Sequence, residues 1–342
     1  MSAASPAALY LLALSALRGI GPAALRKICV QNVLLLQPLS SGAAPGQADS
    51  LSALDLNLLG QLALAAGKRF NLTALQQAAD FAQHQTQWAA ELGISIICSL
   101  DAQYPALVRK TADDPVLFWA KGSLSCLNLP CAAVIGTREP TEQAKRSAAE
   151  ISDYLIAQGL CIVSGLALGC DGIAHHQCVL HQAPTIAVLA HGLERIYPRE
   201  HEHLALGILR SGGLLLSQFP LGTLPRAYQF VQRDFQQAAL SYFTVLIQAN
   251  DHGGSLNASG RSQLYGRPLV CAAPAQEDLK HFPERCRANL ILTSEAFSAA
   301  DKAALLRLPE DFDLAGLKLL TLHCREDYPQ MLKLVARLAG NA

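Results

Sequence analysis

Residues 131–175 constrain the fold more than any other part of this chain. An apolar run at 132–135 is short enough for a strand that is buried on both faces. Apolar residues then recur at helical spacing over 141–158, and Thr141 is a good N-cap. A second apolar run follows at 160–163. This order predicts a βαβ unit, in which two parallel strands place their C-terminal loops side by side.

Strand and helix patterns continue to alternate as far as about residue 275. The further predicted strands are 185–190, 214–217, 242–249 and 267–272, and the helices between them are 199–210, 231–241 and 255–264. Two more apolar runs, 93–98 and 115–120, precede the βαβ unit. This alternation predicts the α/β class, with a doubly wound, parallel, Rossmann-like sheet within a domain over residues 86–295.

Both ends of the chain have alanine and leucine at helical spacing. We expect a helical N-terminal domain over residues 1–85, a loop or flexible linker at 40–50, and a short helical C-terminal region over residues 296–342, with one helix at 314–322. In the N-terminal domain, Gly19-Ile20-Gly21 lies between two short helical stretches. Such a turn either presents backbone N–H groups to a DNA phosphate, as in helix-hairpin-helix modules, or only permits a tight bend. The sequence leaves both interpretations open.

Composition restricts the class of protein. The chain has 51% hydrophobic and 16% charged residues, which is typical of a globular fold. Its formal net charge is zero, so any site for a polyanion must be a local patch. The ten cysteines have no CxxC or metal-ligand spacing, which predicts reduced thiols, a cytoplasmic location and no metal site. The apolar run near the N-terminus is too short to span a bilayer and has no basic residue before it, so we expect neither export nor a membrane partner.

Glycine, hydroxyl and arginine residues collect in the loops that follow the predicted strands. Because these loops share one edge of the sheet, we expect a crevice for a phosphate-bearing ligand there. Gly165 and Gly169 are expected to let the backbone approach that ligand closely. Four arginines are expected to line one groove: Arg138, Arg199, Arg226 and Arg233. The candidate binding residues are Gly136, Thr137, Arg138, Ser164, Gly165, Gly169, Asp171, Gly192, Arg199, Arg226, Arg233, Gly254 and Ser255.

No catalytic constellation stands out in the sequence. Four histidines lie on predicted helices among polar residues, where a solvated or capping role is expected: His175, His176, His201 and His203. The chain lacks a Walker A lysine, and no GxGxxG follows the strand at 132–135, which disfavours an NTPase or an NAD enzyme. We therefore predict no catalytic residue, no cofactor and no enzymatic turnover.

Several segments, in their order and spacing, resemble the DNA-processing protein A (DprA/Smf) family. They are VIGTR at 134–138, SGLALGCDGIAH at 164–175, TIAVLAHGLERIYPREH at 185–201 and GGLLLSQFPLGT at 212–223. The resemblance covers about residues 5–275. It implies a Rossmann-like protein that binds single-stranded DNA during natural transformation, forms a homodimer and helps to load a RecA-type recombinase.

Departures from the family pattern concern charge. Leu168 stands where the family usually has the arginine of SGLARGID, and Phe235 stands where FPxRNR usually ends in arginine. Because phosphate contacts carry most non-specific DNA affinity, these two losses predict weaker binding. The missing arginines also suit a second class of function, a small-ligand (nucleotide) sensor or nucleotide-processing protein that uses the same crevice.

Overall fold

A computed structural model of the chain describes residues 3–32, 36 and 54–339, so the loop predicted at 40–50 lies outside the described residues. Its strands are β1 Ile94–Cys98, β2 Leu117–Gly122, β3 Cys131–Ile135, β4 Cys161–Ser164, β5 Thr185–Leu189, β6 Leu214–Ser217, β7 Phe243–Leu246, β8 Leu269–Ala272 and β9 Leu319–Leu322.

The described helices alternate with these strands from β3 onward. They are α1 Pro6–Ala16, α2 Pro22–Gln31, α3 Leu56–Ala65, α4 Leu72–Glu91, α5 Ala106–Arg109, α6 Glu142–Ala157, α7 Cys170–Leu180, α8 Glu202–Arg210, α9 Ala227–Leu240, α10 Ser255–Leu264, α11 Gln276–His281, α12 Arg287–Thr293, α13 Ala299–Leu305 and α14 Pro329–Ala339. Within the described part of the chain, no helix is long and apolar enough to cross a membrane.

The strands form one sheet in the order β1-β2-β6-β5-β4-β3-β7-β8-β9. Strands β3 to β9 pair in parallel, while β1 and β2 form an antiparallel extension beside β6. Every residue of β3, β4, β5, β6, β7 and β8 is buried, because helices cover both faces of the sheet. The predicted doubly wound, Rossmann-like sheet is therefore confirmed, with an antiparallel edge that the sequence did not indicate.

The first βαβ unit forms as its sequence predicts. Thr141 is the N-cap of α6, and its hydroxyl accepts a hydrogen bond from the Ala144 N–H at 3.2 Å. The strands on either side of α6 lie next to each other in register, with Ala133 opposite Val163. This unit places the loops after β3 and β4 at one edge of the sheet.

The C-terminal region is less helical than expected. The helix predicted at 314–322 is wrong: only Leu314–Gly316 is helical, as a short 3-10 turn, and Leu319–Leu322 forms β9. Strand β9 pairs with β8 along its whole length, from Leu269 opposite Leu319 to Ala272 opposite Leu322. Since the N–H and C=O groups on this side of β8 need partners, an apolar segment became a strand there despite its helical spacing.

The N-terminal helices share a hydrophobic core with one face of the sheet. Side chains of α1, including Leu11 and Leu12, are buried in the same cluster as Trp119 of β2 and Leu215 of β6. In addition, Arg26 of α2 donates a hydrogen bond to the Asp114 carbonyl oxygen at 2.5 Å. The helical unit is thus fixed to the β1–β2–β6 end of the sheet.

Candidate functional site

The candidate site lies where the strand order reverses. From β3 the chain proceeds through β4, β5 and β6 in one direction, and then returns to β7 on the other side of β3. In open α/β sheets, the crevice at the carboxyl ends of such a pair of strands is the usual ligand site. Here the Thr137 N–H donates to the Gln248 carbonyl oxygen at 2.8 Å, and the Cys170 N–H donates to the Thr137 carbonyl oxygen at 3.1 Å. The loops after β3, β4 and β7 therefore contact one another.

The loop after β4 is bonded internally. The Ser164 hydroxyl donates to the Val134 carbonyl oxygen at 2.6 Å. One carboxylate oxygen of Asp171 accepts hydrogen bonds from the Gly165 N–H at 3.1 Å and the Ala167 N–H at 3.4 Å. These backbone donors, which the sequence assigned to a bound anion, already have an anionic partner. Ser164, Gly165 and Asp171 thus shape the loop and do not present free donors.

Gly165 and Gly169 are close to other parts of the protein and not to an open ligand space. Gly169 has a φ of +77°, and a Cβ there would overlap the Thr137 carbonyl oxygen and lie 2.6 Å from the Arg138 carbonyl group. A Cβ on Gly165 would overlap the Arg233 guanidinium. The expectation that these glycines serve a close approach to ligand is wrong, because the space is filled by loops and a side chain of the same chain.

Arg233 is also placed differently from the prediction. Its side chain is only 5% exposed, and its guanidinium donates to the carbonyl oxygens of Gly165 and, at 3.1 Å, of Val188. It further pairs with the Asp234 carboxylate at 3.1 Å. A guanidinium with these partners joins the ends of β4 and β5 and has no exposed face for a phosphate. Arg233 therefore lies beneath the site and not in a groove.

Two buried carboxylates accompany this one cation. Burial raises the pKa of Asp171 to about 6; the nearby Arg233 opposes the shift, and the negative charge of Asp234 adds to it. Burial also raises the pKa of Asp234, and Arg233 and an amide hydrogen bond from Asn257 oppose that shift. When both carboxylates are ionised, the cluster carries a net negative charge. The cluster therefore offers no net positive charge to a phosphate.

The exposed part of the site is built from arginine and aromatic side chains. The Arg138 guanidinium lies 5.7 Å from the centre of the Phe230 ring, and the buried Arg233 guanidinium lies 5.8 Å from the same centre. The Tyr197 ring lies 5.9 Å from Phe230, and Tyr197 is 46% exposed. Arg138 itself is exposed. A cation and two aromatic rings thus share one surface at the edge of the sheet.

The two remaining arginines lie on segments that meet at these rings. Arg226 is exposed at the N-cap of α9, one helical turn before Phe230. Arg199 is two residues beyond Tyr197, and its side chain is 91% exposed, with the Glu202 carboxylate at 3.8 Å. Arg138, Arg199 and Arg226 are thus exposed, whereas Arg233 is buried. We call Arg138, Arg199, Arg226, Tyr197 and Phe230 the arginine–aromatic surface.

The remaining candidate residues make internal contacts or begin a helix. A Cβ on Gly136 would lie 2.5 Å from the Cys170 sulfur, and the Gly192 N–H donates to the Thr223 carbonyl oxygen at 3.0 Å, so both glycines serve internal contacts. Gly254 and Ser255 begin α10 on the β7 side, and α10 is joined to α9 by the bond from Asn257 to Asp234. No atom lies within 4 Å of a Cβ placed on Gly254.

Tyr197 and Phe230 were missed as site residues in the sequence. The helix predicted at 231–241 begins four residues too late, since α9 starts at Ala227. Within α9, Phe230 precedes Arg233 by three positions, so the two side chains share a helix face, and Arg226 is the N-cap four positions before Phe230. That pattern of an aromatic residue between two arginines was the available signal for Phe230.

The structure also corrects the predicted position of His175. His175 is fully buried, its Nδ1 lies 2.9 Å from the Thr185 hydroxyl, and burial lowers its pKa to about 3. It is therefore a neutral core residue and not a solvated one, whereas His176 and His203 are exposed.

Phe235 is half-buried, and the Arg261 guanidinium lies 4.0 Å from the centre of the Phe235 ring. Two positions along a helix are about 200° apart, so Phe235 faces away from Arg233 and from the site.

Leu168, the cysteines and the possible metal ligands complete the description of the side chains. Leu168 is 41% exposed in the loop beside Gly169. Nine of the ten cysteines are buried free thiols, and Cys324 is exposed. Over the described ranges, no group of three or more histidine, cysteine or acidic side chains is arranged to hold a metal ion.

Comparison with known proteins identifies relatives. The family model described as DNA recombination-mediator protein A matches residues 95–303. Protein Smf from Synechocystis is 29% identical over 280 residues, which cover 79% of this chain and 65% of that protein. The aligned part of the chain spans between 41% and 65% of the length of the curated relatives that it matches.

Two solved structures share the fold. The X-ray structure of DNA processing protein A from Streptococcus pneumoniae has a TM-score of 0.66 at 24% identity, and the match covers 94% of this chain and 95% of that one. A structure of DNA processing protein A from Helicobacter pylori, described for its single-stranded DNA binding mode, has a TM-score of 0.54 at 24% identity, with 70% and 96% covered.

Proposed function

Since the chain belongs to the DNA recombination-mediator protein A family, we propose that it binds single-stranded DNA on the arginine–aromatic surface. The observation that carries this proposal is the shared contact of Arg138 and Tyr197 with the Phe230 ring. Arginines bind successive phosphates, and unpaired bases stack on aromatic rings, so this combination favours a single strand. The Helicobacter pylori relative is itself described as a single-stranded DNA binder.

The local charge of this surface suits such a ligand although the whole chain is neutral. Three exposed arginines lie on segments that meet at the rings: Arg138, Arg199 and Arg226. The carboxylates of Asp171 and Asp234 lie below them, buried and bonded to Arg233 or to backbone N–H groups. A strand would therefore meet cations first, at an affinity that depends on salt.

The alternative, a small nucleotide in the crevice, has less support. A phosphate there would need the backbone N–H groups of Gly165 and Ala167, as anion cradles normally do. Both already donate to Asp171. An extended strand on the outer surface does not need these donors.

The proposal extends to the mediator role of the family. In it, the bound strand is DNA taken up during natural transformation, and the protein passes it to a RecA-type recombinase as a homodimer, without catalytic turnover. We assign this activity to the cytoplasm, because buried free thiols such as Cys161 and Cys271 suit a reducing compartment. RecA-dependent strand exchange with and without the protein tests the mediator step, and sedimentation tests the dimer.

Salt-dependent binding to oligo-dT tests the central claim. Arg138→Ala should weaken binding and reduce the slope of log affinity against log salt by about 0.7, the value for one phosphate contact on a single strand. Phe230→Leu should weaken binding by about 1–3 kcal/mol with little change of slope, since stacking releases no counterion. Arg210→Ala, which removes an exposed arginine on α8, is the matched control. Equal affinity in all three variants and the wild type would reject the proposed surface.

A further inference from the structure

The charged residues of the N-terminal helices are distributed unevenly along them. Residues 1–91 contain the cations Arg18, Arg26, Lys27, Lys68 and Arg69 and the acidic residues Asp49, Asp55, Asp80 and Glu91. Asp55 caps the first turn of α3, so it lies about 15 Å along that helix from the end that leads to Lys68. Asp49 lies outside the described residues. Asp80 and Glu91 lie about 12 and 28 Å along α4 from its start at Leu72, so positive charge predominates only at the end of the unit that contains Arg18, Lys68 and Arg69.

Two helical hairpins bring part of this charge together. The turn between α1 and α2 contains Arg18 and Gly19, and the turn between α3 and α4 contains Gly67, Lys68 and Arg69. The Lys68 ammonium would lie 3.6 Å from a Cβ on Gly19, so the two turns are in contact. Arg18, Lys68 and Arg69 are all exposed. We call these three cations and Gly19 the hairpin patch.

The patch is held in place by the core beneath it. Leu17 and Ile20 on either side of the first turn are buried, and the Ile20 N–H donates to the Leu17 carbonyl oxygen at 3.0 Å. In the second turn the Lys68 N–H donates to the Ala63 carbonyl oxygen at 3.2 Å. Cations on fixed turns lose less conformational entropy on binding than cations on a mobile loop.

We infer that the hairpin patch is a second nucleic-acid surface, which binds the backbone of double-stranded DNA. The chemistry is that of phosphates alone, because the tips present cations and backbone, while their aromatic residue, Phe70, packs against the hydrophobic core. A single strand needs exposed rings on which its bases can stack, whereas a duplex keeps its bases stacked and presents only phosphates. This inference is independent of the proposed function at the sheet edge.

Helix α4 runs from the patch to the loop after β6. The patch lies at the start of this helix, while Gln85 further along it exchanges two hydrogen bonds with the Leu221 backbone, at 3.0 and 2.9 Å, in the loop after β6. From Leu72 to Gln85 the helix rises about 20 Å. The patch therefore lies about 20 Å along α4 from the point where this helix contacts the loop after β6, and that loop leads to Arg226 of the arginine–aromatic surface.

The test uses the full chain and two charge-reversal variants with the same change in net charge. Arg18→Glu/Lys68→Glu alters the patch, and Arg210→Glu/Lys280→Glu alters exposed cations on α8 and α11. Binding of each protein to a 20-base-pair duplex and to oligo-dT is measured by fluorescence anisotropy over a range of salt concentrations. Thermal unfolding is followed in parallel. Arg18→Ala/Lys68→Ala replaces the reversal variant if that one does not fold.

The patch variant should lose at least about tenfold in duplex affinity, and its salt slope on duplex should fall by about 1.8, the value for two phosphate contacts. The control variant should keep its duplex affinity within about threefold. The inference is overturned if the wild type does not bind the duplex, or if the patch and control variants lose equally, since only net charge would then matter. Loss of oligo-dT binding by the Arg138→Ala variant, with duplex binding retained, would separate the two surfaces. Absence of oligo-dT binding by the wild type would reject the proposed function and leave the duplex result to be judged alone.

Discussion

Arg233 donates a hydrogen bond from its guanidinium to the carbonyl oxygen of Gly165, so the cation at the centre of the candidate site holds two strand ends together. Arg138 has its guanidinium at nearly the same distance from the Phe230 ring but on the exposed side. Two arginines around one ring thus have different roles. One stabilises the site, and the other is available to a ligand.

Replacing these two arginines by alanine should separate stability from binding. Arg233→Ala leaves Asp171 and Asp234 buried without a cation, so the free energy of unfolding should fall by about 3–5 kcal/mol. Arg138→Ala should change it by less than about 1 kcal/mol, because an exposed cation–π contact contributes little. Urea unfolding of both variants measures the difference. Similar losses of stability in the two would contradict the division of roles.

Two glycines at the same edge of the sheet form a second matched pair. Gly169→Ala places a methyl group against the Thr137 carbonyl oxygen at a residue with φ of +77°, so we expect a loss of at least about 2 kcal/mol of stability. Gly254 has an ordinary helical φ of −62° and open space around it, so Gly254→Ala should be neutral or stabilise by up to about 1 kcal/mol. Chemical denaturation tests both changes. An unaffected Gly169→Ala variant would mean that the loop shifts freely away from β3.

The sequence predicted the sheet better than the site for a physical reason. Buried parallel strands are short apolar runs, and such runs are visible without knowledge of their neighbours, as 132–135 and 160–163 show. Strand β9 was mistaken for a helix because its identity depends on the unpaired edge of β8, about fifty residues earlier in the chain. Local patterns carry no information about such a partner.

The site residues were only partly predictable, because residue type does not give orientation. Arg233 and Phe235 were both expected at a phosphate track, yet the first is buried and the second faces the opposite side of α9. A shift of four residues in the predicted start of that helix hid the spacing of Phe230 from Arg226. Likewise, Asp171 was taken as part of an anion cradle, although a carboxylate can itself occupy the donors of such a cradle.

Buried His175 should make the protein sensitive to acid. Its folded-state pKa is about 3, against an ordinary value of 6.5. Between these values the unfolded chain takes up a proton and the folded protein does not, so this residue's contribution to stability is lost as the pH falls from about 6.5 towards 3. The expected slope is about 1.4 kcal/mol per pH unit. His175→Gln, measured by urea unfolding from pH 4 to 7, should flatten this dependence.

Asp171 should have the opposite effect over part of the same range. Its folded-state pKa is raised to about 6 from an ordinary value of 3.8, so the folded protein takes up the proton first. Its contribution to stability is present below pH 3.8 and is lost as the pH rises through about 6. Asp171→Asn should therefore steepen the loss of stability between pH 6 and 4, while His175→Gln reduces it. Changes of the same sign in both variants would show that these assignments are wrong.

Leu168 occupies the position at which the family pattern has an arginine. Leu168 is 41% exposed, and its neighbour Gly169 packs against the backbone of Arg138, so a side chain at 168 lies beside the arginine–aromatic surface. Leu168→Arg should add a charge-assisted phosphate contact of roughly 1.5–3 kcal/mol, which is at least about tenfold in affinity. The salt slope on oligo-dT should steepen by about 0.7.

Leu180→Arg is the matched control for this change. Leu180 is 62% exposed at the far end of α7, about 17 Å along the helix, and its replacement adds the same charge outside the site. A gain in oligo-dT affinity for Leu168→Arg but not for Leu180→Arg would mean that a single strand on the arginine–aromatic surface passes residue 168. The chain would then make one phosphate contact fewer than the family pattern provides. If both variants fold and bind oligo-dT no better than the wild type, no strand passes residue 168. A small nucleotide in the crevice would then be the better hypothesis, although the N–H groups of Gly165 and Ala167 donate to Asp171.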